Sequence, residues 1–271
     1  MRHLAGKSRR APDVDKDKLV ELHRYDARAQ SQLSAAGAAP EAGEFGSGAL
    51  PQYLRTPYIV YEKCVSEFVG PRDHVLELGA GSGLHTWALA QTRARVTATD
   101  ISPNSLKLLE RRIANAGAGV SVRTQVADME SLPFADASFD VVACAGSLSY
   151  GEPALVDAEI RRVLRPGGLL VCVDSLNHNP IYRLNRWLHY RRGARTRSTL
   201  RRMPDLARIE SLGSGFASVN VRYFGALSFA MPALARLCGQ KRAQVISDCF
   251  DRVTGVKRSA FKFVLIAKAR K

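Results

Sequence analysis

Residues 75–83 read Val75-Leu-Glu-Leu-Gly-Ala-Gly-Ser-Gly83, an apolar run that passes directly into three closely spaced glycines. Residues 84–90 follow with the spacing of a helix. Glycines at such a junction let the backbone turn tightly and let a ligand approach it closely. A structural turn alone would also explain a GxG sequence. The strand–turn–helix order predicts a ligand site at the carboxyl end of a buried strand.

The same alternation continues downstream. Further strands are predicted over residues 95–99, 120–126, 139–145 and 169–173, with helices beginning at Pro103 and Pro153 between them. Strands that alternate with helices predict a parallel sheet with right-handed crossovers.

Two acidic residues end successive predicted strands. Asp100 ends the second strand, and Asp128, followed by Met129, ends the third. A carboxylate in the first position can accept hydrogen bonds from both hydroxyls of a ribose. A carboxylate beside an apolar side chain suits an adenine, which offers an amine and a flat ring. Either aspartate alone is better explained as a loop cap, but both together after a Gly-rich turn favour a nucleoside ligand.

These segments resemble class I S-adenosylmethionine (SAM) dependent methyltransferases over about residues 60–175. Glu77–Gly83 resembles their first motif and Asp100 their ribose-binding acid, while residues 127–140 and 162–168 resemble their adenine-binding turn and the turn before their fifth strand. The resemblance implies an α/β, Rossmann-like seven-stranded sheet with N-terminal and C-terminal helical cap insertions. Its single antiparallel strand is assigned to Phe261–Ala267.

The resemblance also implies a cofactor, SAM, and the residues that hold it. These are Glu77, Gly79, Ala80, Gly81, Gly83, Asp100, Ile101, Asp128, Met129 and Ala145. A nicotinamide dehydrogenase is disfavoured because Leu84 follows the third glycine, so the GxGxxG pattern of those enzymes is incomplete.

One methyltransferase domain is predicted over residues 19–271, after a disordered basic tail at 1–18. Its core comprises residues 60–175, 205–224 and 260–268, and its caps comprise 19–60, 176–204 and 225–258; residues 31–49 are predicted to form a loop. The caps are expected to roof the strand ends and to form the acceptor site. No stretch is long and apolar enough to span a membrane.

The general base is the least determined part of the site. His178, after the fifth strand, is the first candidate; Tyr150, after the fourth strand, and His85, in the first helix of the sheet, are the others. For each of them taken singly, packing, capping or cofactor contact is the preferred explanation. The sequence contains no Cys/His cluster with metal-ligand spacing, so no metal is predicted.

The segments 21–26, 53–58 and 185–204 resemble methyltransferases encoded with bacterial surface-polysaccharide pathways, which implies O-methylation of a sugar. Two alternatives stay open: a nucleic-acid methyltransferase and a non-catalytic interaction protein with the SAM-binding fold. Asn179-Pro-Ile-Tyr182 resembles the NPPY loop of amino-methylating enzymes, but it follows the fifth strand rather than the fourth, and a helix start is preferred.

The chain is strongly basic, with 40 Lys and Arg residues against 25 acids. Between Arg183 and Arg208 there are nine arginines and one acid. This insertion is predicted to bind an anionic small-molecule or glycan acceptor, with Trp187 anchoring it to the domain; a merely solvated surface is the alternative. No DNA partner is expected, peripheral membrane contact is allowed, and a cytoplasmic location with five reduced cysteines is predicted.

Overall fold

A seven-stranded sheet forms the centre of the protein in the computed structural model, which describes residues 16–34, 45–116, 121–191, 196–253 and 256–271. The strand order is β3-β2-β1-β4-β5-β7-β6. The strands are β1 His74–Leu78, β2 Arg95–Asp100, β3 Val122–Val126, β4 Phe139–Ala145, β5 Leu164–Ser175, β6 Ser218–Phe224 and β7 Lys262–Lys268. Strands β1 to β5 are parallel, and β7 runs antiparallel between β5 and β6. The predicted fold class and its antiparallel last strand are confirmed.

The strand order of the sheet reverses at β1. The chain moves outward from β1 through β2 to β3, then returns to add β4 on the other side of β1. Val75 therefore pairs with both Val96 of β2 and Val141 of β4. Helices that diverge from such a reversal leave a crevice outside the carboxyl ends of the strands. The Gly-rich turn that follows β1 opens into this crevice.

Ten helices accompany the sheet in the described part of the chain. They are α1 Lys16–Ser34, α2 Thr56–Phe68, α3 Thr86–Gln91, α4 Pro103–Ala116, α5 Pro153–Val163, α6 Pro180–Arg191, α7 Arg197–Arg202, α8 Leu206–Ser214, α9 Met231–Cys238 and α10 Gln240–Val253. Two short 3₁₀ turns, Gly46–Ala49 and Gln52–Leu54, precede α2. None of the described helices is both long enough and apolar enough to cross a membrane.

Both faces of the sheet are buried. Successive side chains of β1 point to opposite faces, and each face packs in its own apolar cluster. Leu76 and Leu78 belong to one apolar cluster, which includes Leu170 of β5. Val75 belongs to the cluster on the other face, with Val171. All five side chains are fully inaccessible to solvent. Strands covered on both faces read as continuous apolar runs, which is why the central strands could be recognised from sequence.

The larger boundary differences from the sequence prediction lie in β5 and α1. Strand β5 begins at Leu164 rather than Leu169, because Leu164 pairs with Phe139 before the Pro-Gly-Gly turn shifts the register. Helix α1 includes residues 16–18, which were predicted to be disordered, and residues 31–34, which were predicted to be a loop. The remainder of the predicted tail, residues 1–15, and residues 35–44 of the predicted loop lie outside the described residues.

Candidate functional site

The three glycines after β1 have different surroundings, although all have positive φ angles of 64°, 54° and 81°. A Cβ atom on Gly79 would lie 2.5 Å from the side chain of Ser147, and one on Gly83 would lie 2.7 Å from Leu109. A Cβ atom on Gly81 would meet nothing within 4 Å. Gly79 and Gly83 are therefore required by packing, whereas Gly81 keeps a space open.

Asp100 closes the turn from the neighbouring strand. Its Oδ2 accepts the backbone N–H of Gly81 at 2.8 Å, and its Oδ1 accepts that of Ser102 at 2.9 Å. Burial raises the pKa of this carboxyl, and the backbone hydrogen bonds partly oppose that effect. The hydrogen bond to Gly81 fixes the end of β2 against the turn after β1.

Glu77 lies beneath the turn and is almost completely buried. Its Oε2 accepts a hydrogen bond from the Thr86 hydroxyl at 2.6 Å, which links β1 to the first residue of α3. Burial raises the pKa of Glu77 to about 7, with a smaller contribution from the nearby Asp100 carboxylate. Glu77 thus supports the start of α3.

A cavity of about 410 Å³ lies at the strand ends. Seven of the predicted cofactor residues line it: Gly79, Ala80, Gly81, Asp100, Ile101, Met129 and Ala145. Three others, Glu77, Gly83 and Asp128, are not among its lining residues. This volume is within the range of pockets that enclose small-molecule ligands and cofactors.

Helix α1 forms the opposite wall of the cavity. Lys18, Glu21, Tyr25, Arg28, Ala29 and Gln32 of this helix line it. Lys18 Nζ lies 2.6 Å from Asp128 Oδ2 and 2.8 Å from Glu130 Oε2. The hydroxyls of Tyr25 and Tyr150 are hydrogen-bonded. The cap over residues 19–60 was expected to roof the strand ends and segment 21–26 was singled out, but the contacts that these α1 residues make were not predicted.

Glu21 connects α1 to the second cap. Its Oε1 accepts hydrogen bonds from the hydroxyls of Thr196 and Thr199, both at 3.0 Å. The Ser198 hydroxyl lowers the pKa of the Asp17 carboxyl, and so does the Ser198 backbone N–H, which donates to it at 2.9 Å. The beginning of α7 therefore holds α1 over the strand ends.

The structure brings two of the three candidate bases to the cavity. Tyr150 and His85 line it, whereas His178 is not among the lining residues. The His85 ring stacks on Tyr58 with 4.7 Å between centroids, and burial lowers its pKa to about 4. His85 Nδ1 is buried and has no hydrogen-bond partner among the described residues. His85 is therefore neutral near pH 7 with one ring nitrogen unengaged.

The arginine-rich insertion is anchored differently from the prediction. Trp187, which was expected to anchor it, is 44% exposed. Arg186 is buried instead and donates from Nη1 to the backbone oxygen of Leu176 at 2.7 Å. Asn179 Oδ1 accepts the N–H of Ile181 at 2.9 Å, which confirms this segment as a helix start. Arg192 and Arg195 lie outside the described residues.

No group of three or more His, Cys, Asp or Glu side chains that could hold a metal occurs within the described ranges. The prediction that no metal is needed stays a prediction.

The similarity to known proteins lies in the core of this domain. Residues 76–172 match the family model described as methyltransferase domain. This segment contains the Gly-rich turn, Asp100, Asp128 and the ends of β4 and β5. A sterol 4-C-methyltransferase from Caenorhabditis elegans is 35% identical over 108 residues, which are 39% of this chain and 32% of that protein. A demethylmenaquinone methyltransferase from Mycobacterium sp. (strain KMS) is 38% identical over 124 residues, 44% of this chain and 49% of that protein. The chain thus spans less than half the length of either curated relative.

A solved structure extends the fold comparison to the caps. Geranyl diphosphate C-methyltransferase from Streptomyces coelicolor A3(2) has a TM-score of 0.60 and 17% sequence identity, covering 96% of this chain and 100% of that one. The domain match over residues 76–172 and the shared fold support a SAM-dependent methyltransferase domain.

Proposed function

We propose that this SAM-dependent methyltransferase domain transfers a methyl group to a hydroxyl of a small polar molecule, and that the acceptor is a sugar of a surface-polysaccharide pathway. The observation that carries the proposal is the division of one cavity between two sets of residues. The Gly-rich turn and the strand ends form one wall, and polar side chains of α1 form the other.

The residues of the first wall fit SAM. The open space at Gly81 leaves room for a ligand against the backbone, and the Asp100 carboxylate beside it suits a ribose. Ile101 and Met129 offer apolar surfaces for an adenine. SAM supplies a methyl group on a positively charged sulfur, which is a good leaving group. The chain's own residues must therefore orient an acceptor, exclude water and receive a proton.

The second wall suits a hydroxyl-bearing acceptor. Glu21, Tyr25, Arg28 and Gln32 provide hydrogen-bonding groups of both kinds along one helix face. Arg28 and Arg112 add positive charge to the lining, which favours an acceptor that is acidic or phosphate-linked.

Tyr150 and His85 line the cavity and are the proposed acceptors of the proton. The Tyr150 hydroxyl lies in the lining and contacts Tyr25. His85 is neutral at pH 7 and one of its ring nitrogens is unengaged, but the burial that lowers its pKa also makes it a weak base. His178 remains a candidate by its position after β5, although it does not share the cavity lining.

The binding of an anionic acceptor by the arginine-rich insertion also remains a proposal, supported by its charge. None of its described arginines lines the cavity, and Arg202 pairs with Glu152 at 3.1 Å instead. The proposal includes a cytoplasmic location, which the five free cysteines support.

The test is methyl transfer from labelled SAM to a panel of acceptors. The panel contains nucleotide sugars and lipid-linked glycans, with demethylmenaquinone, a sterol and structured RNA as competitors. We expect transfer to a sugar-bearing acceptor and loss of transfer in Asp100→Ala. Transfer to the quinone, the sterol or RNA instead would replace the sugar proposal, and a folded chain that binds no SAM would show a non-catalytic interaction protein.

A further inference from the structure

Helix α6 turns an apolar face toward solvent. Ile181, Leu184, Trp187 and Leu188 are 50%, 59%, 44% and 39% exposed. Their spacing of three, three and one residues places all four on one side of an α-helix. These four residues are called the α6 face. Contiguous exposed apolar residues on a folded domain mark a site of interaction.

The buried side of α6 is the polar one. Tyr182 is 4% exposed, and its hydroxyl donates to the Gly225 oxygen at 2.8 Å. Arg186 is 5% exposed, donates to the Leu176 oxygen, and its guanidinium lies 5.3 Å from the Phe261 ring centroid. A surface helix ordinarily directs its apolar side toward the core. The reversed arrangement shows that the α6 face is not needed to hold α6 on the domain.

Positive charge surrounds the α6 face. Arg183 and Arg191 are exposed on the same helix, and the Arg191 guanidinium lies 5.3 Å from the Trp187 ring centroid. Neither forms an ion pair with a described acid. Residues 180–191 contain no Asp or Glu, and Arg197 of α7 is also exposed. A partner that complements this surface must be both apolar and anionic.

We propose that the α6 face inserts into the surface of a bilayer that contains anionic lipids. A helix lying in the plane of the interface buries its apolar side among the acyl chains, while arginines beside it bind lipid phosphates. Trp187 suits this boundary because its ring is amphipathic. A second copy of the chain would satisfy the apolar side but would bring like charges together.

Helix α6 lies on the same side of the domain as the cofactor cavity. Helix α6 begins five residues after β5 ends, so it lies at the same edge of the sheet as the cavity. The next helix, α7, hydrogen-bonds to α1, which walls the cavity. Docking through the α6 face therefore brings the cap side of the domain to the lipid surface.

The experiment measures vesicle binding without SAM or acceptor, so its result is independent of the proposed function. The chain contains two tryptophans, and Trp87→Phe leaves Trp187 as the reporter. Vesicles of phosphatidylcholine and phosphatidylglycerol in equal parts should shift its emission to shorter wavelength and co-sediment the protein. Vesicles of phosphatidylcholine alone should do neither, and added salt should weaken binding. Sedimentation of the wild-type chain gives the same comparison without the reporter substitution.

Two sets of variants identify the surface. Leu184→Ser with Leu188→Ser should weaken binding at least about tenfold, since two apolar side chains no longer enter the bilayer. Arg183→Glu with Arg191→Glu should weaken it by a similar factor. Leu155→Ser on α5 is the matched control, because Leu155 is 48% exposed and lies outside the α6 face.

Wild-type affinity in both double variants, or equal binding to neutral and anionic vesicles, would overturn the proposal. Light scattering tests whether a second copy of the chain covers the α6 face instead. A wild-type dimer that Leu184→Ser with Leu188→Ser converts to a monomer, without vesicle binding by either, would assign the α6 face to self-association instead.

Discussion

The ammonium of Lys18 and the carboxylate of Asp128 form an ion pair of 2.6 Å across 110 positions of the chain. Lys18 is 9% exposed and also contacts Glu130 at 2.8 Å. Asp128 is the acid predicted from the family resemblance to recognise adenine, although it is not among the residues that line the cavity. The contact therefore joins the helix that covers the cavity to a residue expected to hold the cofactor.

Replacing Lys18 by Met should loosen α1. The substitution removes both ion pairs and leaves two carboxylates near each other, but Asp128 is one-third exposed, so water reduces the cost to about 1 kcal/mol. S-adenosylhomocysteine should dissociate about fivefold faster, measured by stopped-flow fluorescence. Lys16→Met, an exposed position of the same helix, is the control. Equal dissociation rates in both variants would show that the ion pair does not retain the cofactor.

Asp100→Ala should weaken SAM binding by about 1.5–3 kcal/mol, the range for hydrogen bonds to charged groups. The substitution removes the proposed acceptor for the ribose and the contact to the Gly81 N–H. Titration calorimetry measures the effect on the folded variant. Asp73→Ala is the control, because that carboxylate also accepts a backbone N–H, from Gly70, just before β1 at the amino end of the sheet. Unchanged affinity in Asp100→Ala would refute the ribose assignment.

Gly81→Val and Gly83→Ala should fail in different ways. A side chain at Gly81 enters open space at the cavity, so SAM binding is lost. The free energy of unfolding falls only by the strain of a side chain at a positive φ, about 1–2 kcal/mol. A methyl group at Gly83 meets Leu109 at 2.7 Å, so Gly83→Ala lowers the unfolding temperature. Calorimetric scans and SAM titrations on both variants separate the two effects. A Gly81→Val variant with wild-type SAM affinity would assign that glycine to the turn alone.

Glu77 should make the protein less stable as pH rises. Its folded-state pKa of about 7 exceeds the ordinary value of 4.5, so the folded state holds the proton more tightly. The stabilisation is complete below pH 4.5 and is lost as pH rises through 7, at most about 3 kcal/mol. His85 acts oppositely between pH 4 and 6.5, because its lowered pKa favours the neutral folded form. Glu77→Gln should therefore make stability rise more steeply from pH 5 to 7, measured by urea unfolding.

Glu67 of α2 is exposed, so Glu67→Gln is the control and should leave the pH profile unchanged. Identical profiles for Glu77→Gln and the wild type would show that the carboxyl keeps its ordinary pKa.

The candidate bases differ in their expected kinetics. Tyr150→Phe and His85→Gln should each lower kcat about tenfold or more if the residue accepts the acceptor proton, with SAM affinity retained. His178→Ala should have a smaller effect, because His178 does not line the cavity. If His85 is the base, the acid limb of the rate profile falls near pH 4 rather than near 6.5. A dominant loss in His178→Ala would place the acceptor outside the cavity described.

The sequence was informative where neighbours in the chain are neighbours in space. The run into Gly79–Gly83 and the aspartate ending β2 are local patterns, because a buried strand must be apolar and a tight turn needs glycine. A cap over the strand ends was expected from residues 19–60, but the contacts that hold α1 in that place were not predictable in this way. Lys18 and Glu21 have partners 110 and 175 positions away, and polar helical residues give no signal of such pairing.

The α6 face shows a second limit of pattern analysis. The sequence correctly favoured a helix start at Asn179-Pro-Ile-Tyr182, but it could not tell which side of α6 faces the domain. Trp187 was expected to be the buried anchor. In the structure Arg186 and Tyr182 are buried instead, and both donate hydrogen bonds to backbone oxygens. Burial of a polar side chain depends on partners that only the assembled fold provides.

The long-range contacts of α1 also set an order of assembly during synthesis. The ribosome makes α1 before Asp128, Tyr150 and Thr199, all of which it contacts in the finished protein. The helix is polar, with three buried side chains, and has few local contacts to keep it folded in the meantime. Its closure over the crevice waits until residue 199 has been made, so α1 is synthesised long before it can cover the site.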